Sequence, residues 1–344
     1  MTRVRLAPLC GVTDYVFREI CAEQGCLQGC TEMISAMGYL CAPDHRATQD
    51  LMIRGERENS LAVQLFGRDP DTVAEAAQRM EALGRFDAID LNMGCPAHKI
   101  APSGEGCGLM RTPEIAEQMM RKTVQAVSLP VTVKMRLGWD AEHLNAADLA
   151  RRAEDAGIAE ITIHGRTRVQ QYSGEADWEQ IYRVADKVSI PVWGNGDIFT
   201  PEQAVVRAHG PDRESAASGQ ETEISGFVRQ AVDRAGAGGL AGVVIGRGAM
   251  GNPWIFRQIR ELDEGKNPTP VSLSERFDMI RIHYGRMLAW KPEHVAVREM
   301  RKQIGWYLHG LRGAAKARAE INRAEKPDQV FEMLDALYRE SIGQ

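Results

Sequence analysis

About eight times between residues 4 and 260 the chain passes from a short, densely apolar run to a stretch of helical length, and each run stops at glycine or polar residues. Such runs are too short and too uniformly apolar for amphipathic helices, so they read as strands buried on both faces of a parallel sheet. The runs fall at about 4–7, 29–33, 60–66, 87–91, 130–136, 160–164, 190–193 and 242–245, with helices expected over 15–24, 71–82, 113–126, 146–156 and 178–187. Short links and polar groups massed after strand ends favour a closed (β/α)8 TIM barrel over an open doubly wound sheet. No G-x-G-x-x-G follows the first run, so a dinucleotide-type opening is absent.

Two stretches depart from this rhythm. Residues 209–239 are polar and glycine-rich, longer than one strand-helix link requires, and read as an insertion at about 211–222 followed by a helix at 224–234. Beyond Pro268 and Pro270 the periodicity is helical only, at about 273–288, 295–308, 314–324 and 328–340. The expected organisation is a catalytic barrel over 1–265 and a small all-helical C-terminal domain over 270–344.

Charge separates the same two parts. Residues 276–326 hold twelve Lys/Arg against five Asp/Glu, a net +7, which leaves −12 for the rest of a chain whose total is −5. A basic end on an acidic body suits a polyanion gripped at one end. The start has no apolar signal region and no 18 consecutive apolar residues occur, so a cytoplasmic protein without membrane contact is expected. Seven cysteines, five of them in the first 41 residues and none in a C-x-x-C pair, read as reduced thiols with no metal centre.

The chemistry is densest at FDAIDLNMGCP, residues 86–96. Asn92, Gly94, Cys95 and Pro96 sit where the fourth strand would end, so Cys95 is presented at the sheet edge where barrel active sites collect. The glycine-rich run after it, residues 103–108, suggests backbone passing close to a ligand. Gln64, a polar residue within an apolar strand, needs a partner for its amide. Asn195-Gly196-Asp197 and Gly246-Arg247-Gly248 follow the seventh and eighth strands, the usual place in barrels for a phosphate held by backbone N–H groups. Lys134 and His164 end the fifth and sixth strands on the same rim. A phosphate grip, cations for an electron-rich head and a thiol opposite suggest a flavin mononucleotide (FMN) oxidoreductase. An ordinary thiol is mostly protonated at neutral pH, which suits delivery of a proton to a polarised C=C bond that also receives a hydride.

At this point a resemblance emerges. APLCGVTD (7–14), DLNMGCP (90–96), VKMRLGW (133–139), IHGRT (163–167), GNGDI (194–198) and IGRGAMGNP (245–253), with REMRK (298–302) and GWYL (305–308), resemble the tRNA-dihydrouridine synthase family, and the tail is most similar to its bacterial B-type branch. The resemblance implies an FMN-bound barrel, NADPH as reductant, tRNA as partner, hydride transfer to C6 of a uridine and protonation of C5 by Cys95. It further implies that Pro8, Leu9, Cys10, Gln64, Lys134, His164, Asn195, Gly196, Asp197, Gly246 and Arg247 hold FMN, while Asn92, Arg136 and Tyr172 face the uracil. A monomer is expected. A uridine in folded tRNA must leave its stack to enter a barrel mouth, which gives a basic helical domain its purpose. The first loop departs from the family pattern, reading Pro-Leu-Cys where Pro-Met is common. Two other readings stay open: an FMN barrel acting on a free small molecule, as dihydroorotate-type dehydrogenases do, and a non-catalytic RNA-binding or chaperone protein on a degenerate barrel.

Overall fold

The computed structural model describes residues 1–210 and 239–342. Its strands are β1 (Val4–Leu6), β2 (Gly29–Cys30), β3 (Ile34–Ser35), β4 (Leu61–Phe66), β5 (Ala88–Met93), β6 (Val131–Arg136), β7 (Glu160–His164), β8 (Val192–Asn195) and β9 (Gly242–Ile245). Parallel neighbours run β1-β9-β8-β7-β6-β5-β4-β2. The circle closes where Leu27 N–H donates to Val4 O at 3.1 Å and Leu6 N–H donates to Gln28 O at 3.2 Å. The chain forms the expected eight-position barrel.

The second strand, expected as one run over 29–33, is broken. From the pair Cys30–Ala62 to the pair Ile34–Leu65, four residue steps face three, which marks a bulge. The extra length turns Met33 into the barrel mouth and lets the Glu32 carboxylate accept the Gly11 N–H at 2.6 Å.

Helices α1 (Tyr15–Glu23), α2 (Ala36–Cys41), α3 (Arg46–Leu51), α4 (Pro70–Ala82), α5 (Pro113–Ala126), α6 (Ala146–Asp155), α7 (Trp178–Ala185), α8 (Pro201–His209) and α9 (Ile255–Asp263) clothe the barrel. Short polar side chains start several of them: Asp14, Asp69 and Asp177 each accept a first-turn N–H, and Thr200 with Gln203 forms a capping box ahead of Pro201. Helix α8 therefore begins the link between β8 and β9 before residue 209. The helix expected at 224–234 and the insertion at 211–222 lie outside the described residues.

The N-terminal end of the barrel is a stability layer. There Trp193 is fully buried, the Arg5 guanidinium lies 3.6 Å from its ring centroid, and Glu160 pairs with Arg5 while accepting the indole N–H at 3.0 Å.

Helices α10 (Leu273–Trp290), α11 (Glu293–Tyr307), α12 (Ala314–Ile321) and α13 (Pro327–Ile342) enclose a second hydrophobic core around Phe277, Ile280, Tyr284, Met300, Ile304 and Leu334. Val16 and Ile20 of α1 belong to this core, while Phe17 and Cys21 of the same helix belong to the barrel core. Among the described residues no helix is long and apolar enough to cross a membrane.

Candidate active site

Parallel register sets the site, because directly paired residues in neighbouring strands point to the same side. Gln64 pairs with Asp90 and Asp90 with Thr132, so one layer inside the barrel is polar. Gln64 Nε2 donates to Asp90 Oδ2 at 2.7 Å and Thr132 Oγ1 donates to Asp90 Oδ1 at 2.6 Å. The partner that Gln64 requires is thus a buried carboxylate, whose pKa burial pushes upward.

The layer above carries the thiol loop. Asn92 Nδ2 donates to Gln64 Oε1 at 2.8 Å, and Asn92 Oδ1 accepts the N–H groups of Gly94 at 3.1 Å and Cys95 at 2.9 Å. Arg136 Nε donates to Gly94 O at 2.9 Å, and its Nη1 donates to Thr167 O and Gln171 O at 2.9 and 2.8 Å. Cys95 is therefore fixed by hydrogen bonds on both sides of its backbone, with its side chain partly exposed in the mouth. The glycine-rich run 103–108 does not line the mouth's cavity. Cys107 N–H donates to Cys95 O at 3.1 Å, and a Cβ on Gly106 would lie 3.0 Å from both Cys95 Cβ and Cys95 O, so those glycines serve close packing onto the thiol loop.

Across the mouth, Asp197 organises a second group of side chains. Its carboxylate takes Arg166 through Nη1 at 2.9 Å and Nη2 at 2.6 Å, Arg247 Nη2 at 2.8 Å and Ala176 N–H at 2.8 Å. Partial burial acts to raise its pKa, yet these hydrogen bonds and the two guanidinium charges hold it below the usual carboxylate range. The backbone of Asp197 sits at φ +47°, a left-handed conformation sustained by its surroundings. Arg247 is aimed by that carboxylate and flanked by two half-exposed rings, Tyr172 at 5.0 Å and Phe199 at 5.5 Å.

One cavity of ≈ 490 Å³ gathers these groups, within the range of small-molecule sites. Every residue expected at the site lines it: Cys95; Pro8, Leu9, Cys10, Gln64, Lys134, His164, Asn195, Gly196, Asp197, Gly246 and Arg247; Asn92, Arg136 and Tyr172. The geometry refines some of them, since the amides of Gln64 and Asn92, the Asp197 carboxylate and most of the Arg136 fork are engaged within the protein. Sequence reasoning missed Arg166, 1% exposed and behind Asp197, together with Asp90 and Phe199. Asp90, an acid within an apolar strand, carried the same signal as Gln64.

Electrostatics describe what this cavity fits. Burial, reinforced by Arg136, pushes Lys134 down to about 8, and its Nζ donates to Asn195 Oδ1 at 3.1 Å. Burial and the charges of Lys134, Arg136, Arg166 and Arg247 hold His164 well below the usual imidazole range. Partial burial of the thiol, then Glu32 and Cys95, push Cys10 up to about 11. Asp197 is the only acid lining the cavity among the described residues, and two arginines already hold it. A Cβ on Gly246 would stand at 3.6–3.9 Å from Ala7 and Leu9, taking space from the wall. The surplus of cations fits an anionic cofactor such as FMN.

Comparison with known proteins places the chain in a family. The model of the dihydrouridine synthase (Dus) family matches residues 5–210 and 228–342. A probable tRNA-dihydrouridine synthase of Rhodobacter capsulatus is 40% identical over 98% of this chain and 95% of its own length. One from Rickettsia conorii is 37% identical over 98% of this chain and 93% of its own. The tRNA-dihydrouridine synthase B of Pseudomonas aeruginosa is 36% identical over 95% and 90%.

Proposed function

The chain belongs to the dihydrouridine synthase family, and from that premise we propose that it reduces the C5=C6 bond of specific uridines in tRNA. FMN bound in the cavity, reduced by NADPH, supplies the hydride to C6. The protein's own groups do the rest. Cys95, held by Asn92, Arg136 and the 106–107 turn, donates its proton to C5. Lys134 and His164 would hold the electron-rich cofactor head, and Arg247 with the Asn195–Asp197 and Gly246–Gly248 turns would hold its phosphate. Pro8, Leu9 and Cys10 form the wall beside the ring. Tyr172 flanks the entering uracil, while Asn92 and Arg136 act by positioning the thiol loop. The barrel over 1–265 is the catalytic domain and the region over 270–344 grips the RNA.

The observation that carries this is the convergence of a backbone-pinned thiol, the cations Lys134, Arg136 and Arg247, a neutral His164 and two glycine turns on one cavity at the strand ends. The +7 segment favours tRNA over a free small molecule. The experiment is to map dihydrouridine in tRNA from cells with and without the gene, and to supply purified protein, NADPH and unmodified tRNA. Loss of dihydrouridine at defined positions, restored in vitro, is the expected result. Unchanged maps together with reduction of a free pyrimidine by the purified protein would refute the proposal.

A further inference from the structure

Helix α11 carries Arg298, Arg301, Lys302 and Gly305 at i, i+3, i+4 and i+7, which places them on one face. Arg318 of α12 reaches the same face across Gly305, where a Cβ would stand 3.5 Å from its Cδ. These residues line a pocket of ≈ 380 Å³ with Trp306 and Asn322: four cations and no acid. Among the described residues none of the four cations has an ion-pair partner. Arg301 Nη2 is anchored on Ala324 O at 2.8 Å, while its buried Nε has no acceptor. Like charges four residues apart destabilise a helix, so Arg298 and Lys302 are kept together against the helix's own preference.

Trp306 is the second observation. It is half-buried, yet it belongs to neither hydrophobic core and makes no ring contact with another aromatic among the described residues. Its other side lines a cleft of ≈ 620 Å³ that also includes Phe199 and Arg247, and both of those line the active-site cavity. A continuous surface therefore runs from the catalytic mouth, past an indole outside both cores, to three arginines without an ion-pair partner among the described residues, with Lys302 beside them but also drawn toward Glu32.

Resting on the tRNA reading above, we propose that this pocket is a nucleotide subsite for the RNA. A backbone phosphate sits among Arg298, Arg301 and Arg318, and an unpaired base stacks on Trp306. Alternation of cations with an aromatic face is how single-stranded nucleic acid is held. A free dinucleotide is the poorer occupant, since the pocket offers no carboxylate for a ribose hydroxyl.

The test uses full-length holoprotein and unmodified tRNA, with Arg318→Ala and Trp306→Leu. Arg318→Ala is expected to lower the slope of log affinity against log salt by about 0.7–0.9, the value of one phosphate contact. Trp306→Leu is expected to weaken tRNA binding about 5- to 100-fold with the slope unchanged, the effect of one lost base stack. Flavin content and RNA-free NADPH oxidation stay at wild-type levels in both. Unchanged tRNA affinity and slope in Arg318→Ala overturns the subsite, as does a raised KM for NADPH in either variant. Binding is read separately from chemistry: a wild-type chain that binds tRNA without forming dihydrouridine refutes the functional proposal, while the subsite is still judged by the two binding curves.

Discussion

Replacing Lys134 with methionine separates what this residue costs the fold from what it contributes to the site. Burial lowers Lys134 from its ordinary 10.5 to about 8, a gap worth about 3 kcal/mol. By area the Lys134 side chain is only partly buried and it lines the open cavity, which reduces that to about 2 kcal/mol. The sign follows from proton binding. Below pH 8 the lysine is charged in both folded and unfolded chains, and the folded chain bears the whole penalty. Between about 8 and 10.5 only the unfolded chain stays protonated, so stability rises with pH relative to a chain without the lysine. Loss of the hydrogen bond to Asn195 subtracts about 1 kcal/mol at either pH. Urea unfolding of the flavin-free proteins at pH 7 and pH 10 isolates the electrostatic part: Lys134→Met should gain about 2 kcal/mol more at the lower pH. The same variant should retain flavin at least about tenfold more weakly, as removal of one charge-assisted contact implies. A stability difference that is the same at both pH values would refute the assignment of Lys134 as a strained cation awaiting its cofactor.

Three further outcomes are expected. Cys95→Ala should keep bound flavin and RNA-free NADPH oxidation while dihydrouridine formation, measured by nucleoside mass spectrometry, falls about 10²- to 10⁴-fold. Asp197→Asn frees Arg247 and leaves the buried Arg166 without its counter-charge, costing about 3 kcal/mol in thermal unfolding at pH 7. Because the folded pKa of Asp197 lies below the ordinary ~3.9, its stabilisation is present above that value and disappears as pH falls through the lower folded one, so the gap between the two proteins should close in acid. Gly251→Ala places a Cβ 2.4 Å from the Trp306 carbonyl carbon at φ +67°. It should lower unfolding stability by more than the ~1–3 kcal/mol of a left-handed alanine alone, and reduce tRNA binding as α11 shifts.

The barrel was legible because its strands β4 to β9 are apolar runs closed by polar residues, and that pattern survives without any knowledge of neighbours. Cys95 and the two glycine turns were legible for the same reason. Helices α2 and α3 were not, since six residues hold under two turns and give periodicity nothing to act on. The bulge between β2 and β3 was invisible because it is a mismatch between two strands. Arg166 and Asp90 were passed over because their importance lies in partners that register and loops bring from 26 to 42 residues away. The roles of Asn92 and Asp197 shifted for a related reason: sequence shows which polar groups reach a rim, but only geometry shows which are already bonded there.

Helix α1 is a wall one helix thick, with Val16 and Ile20 turned to one interior and Phe17 and Cys21 to the other. The two bodies it separates therefore share that helix as common lining. On the subsite proposed above, the reach from the Trp306 pocket to Cys95 would be set by this shared packing. A nucleotide bound there would then be judged by its distance along the RNA from the one at the thiol, and shortening or lengthening that stretch of a tRNA would be the way to see it.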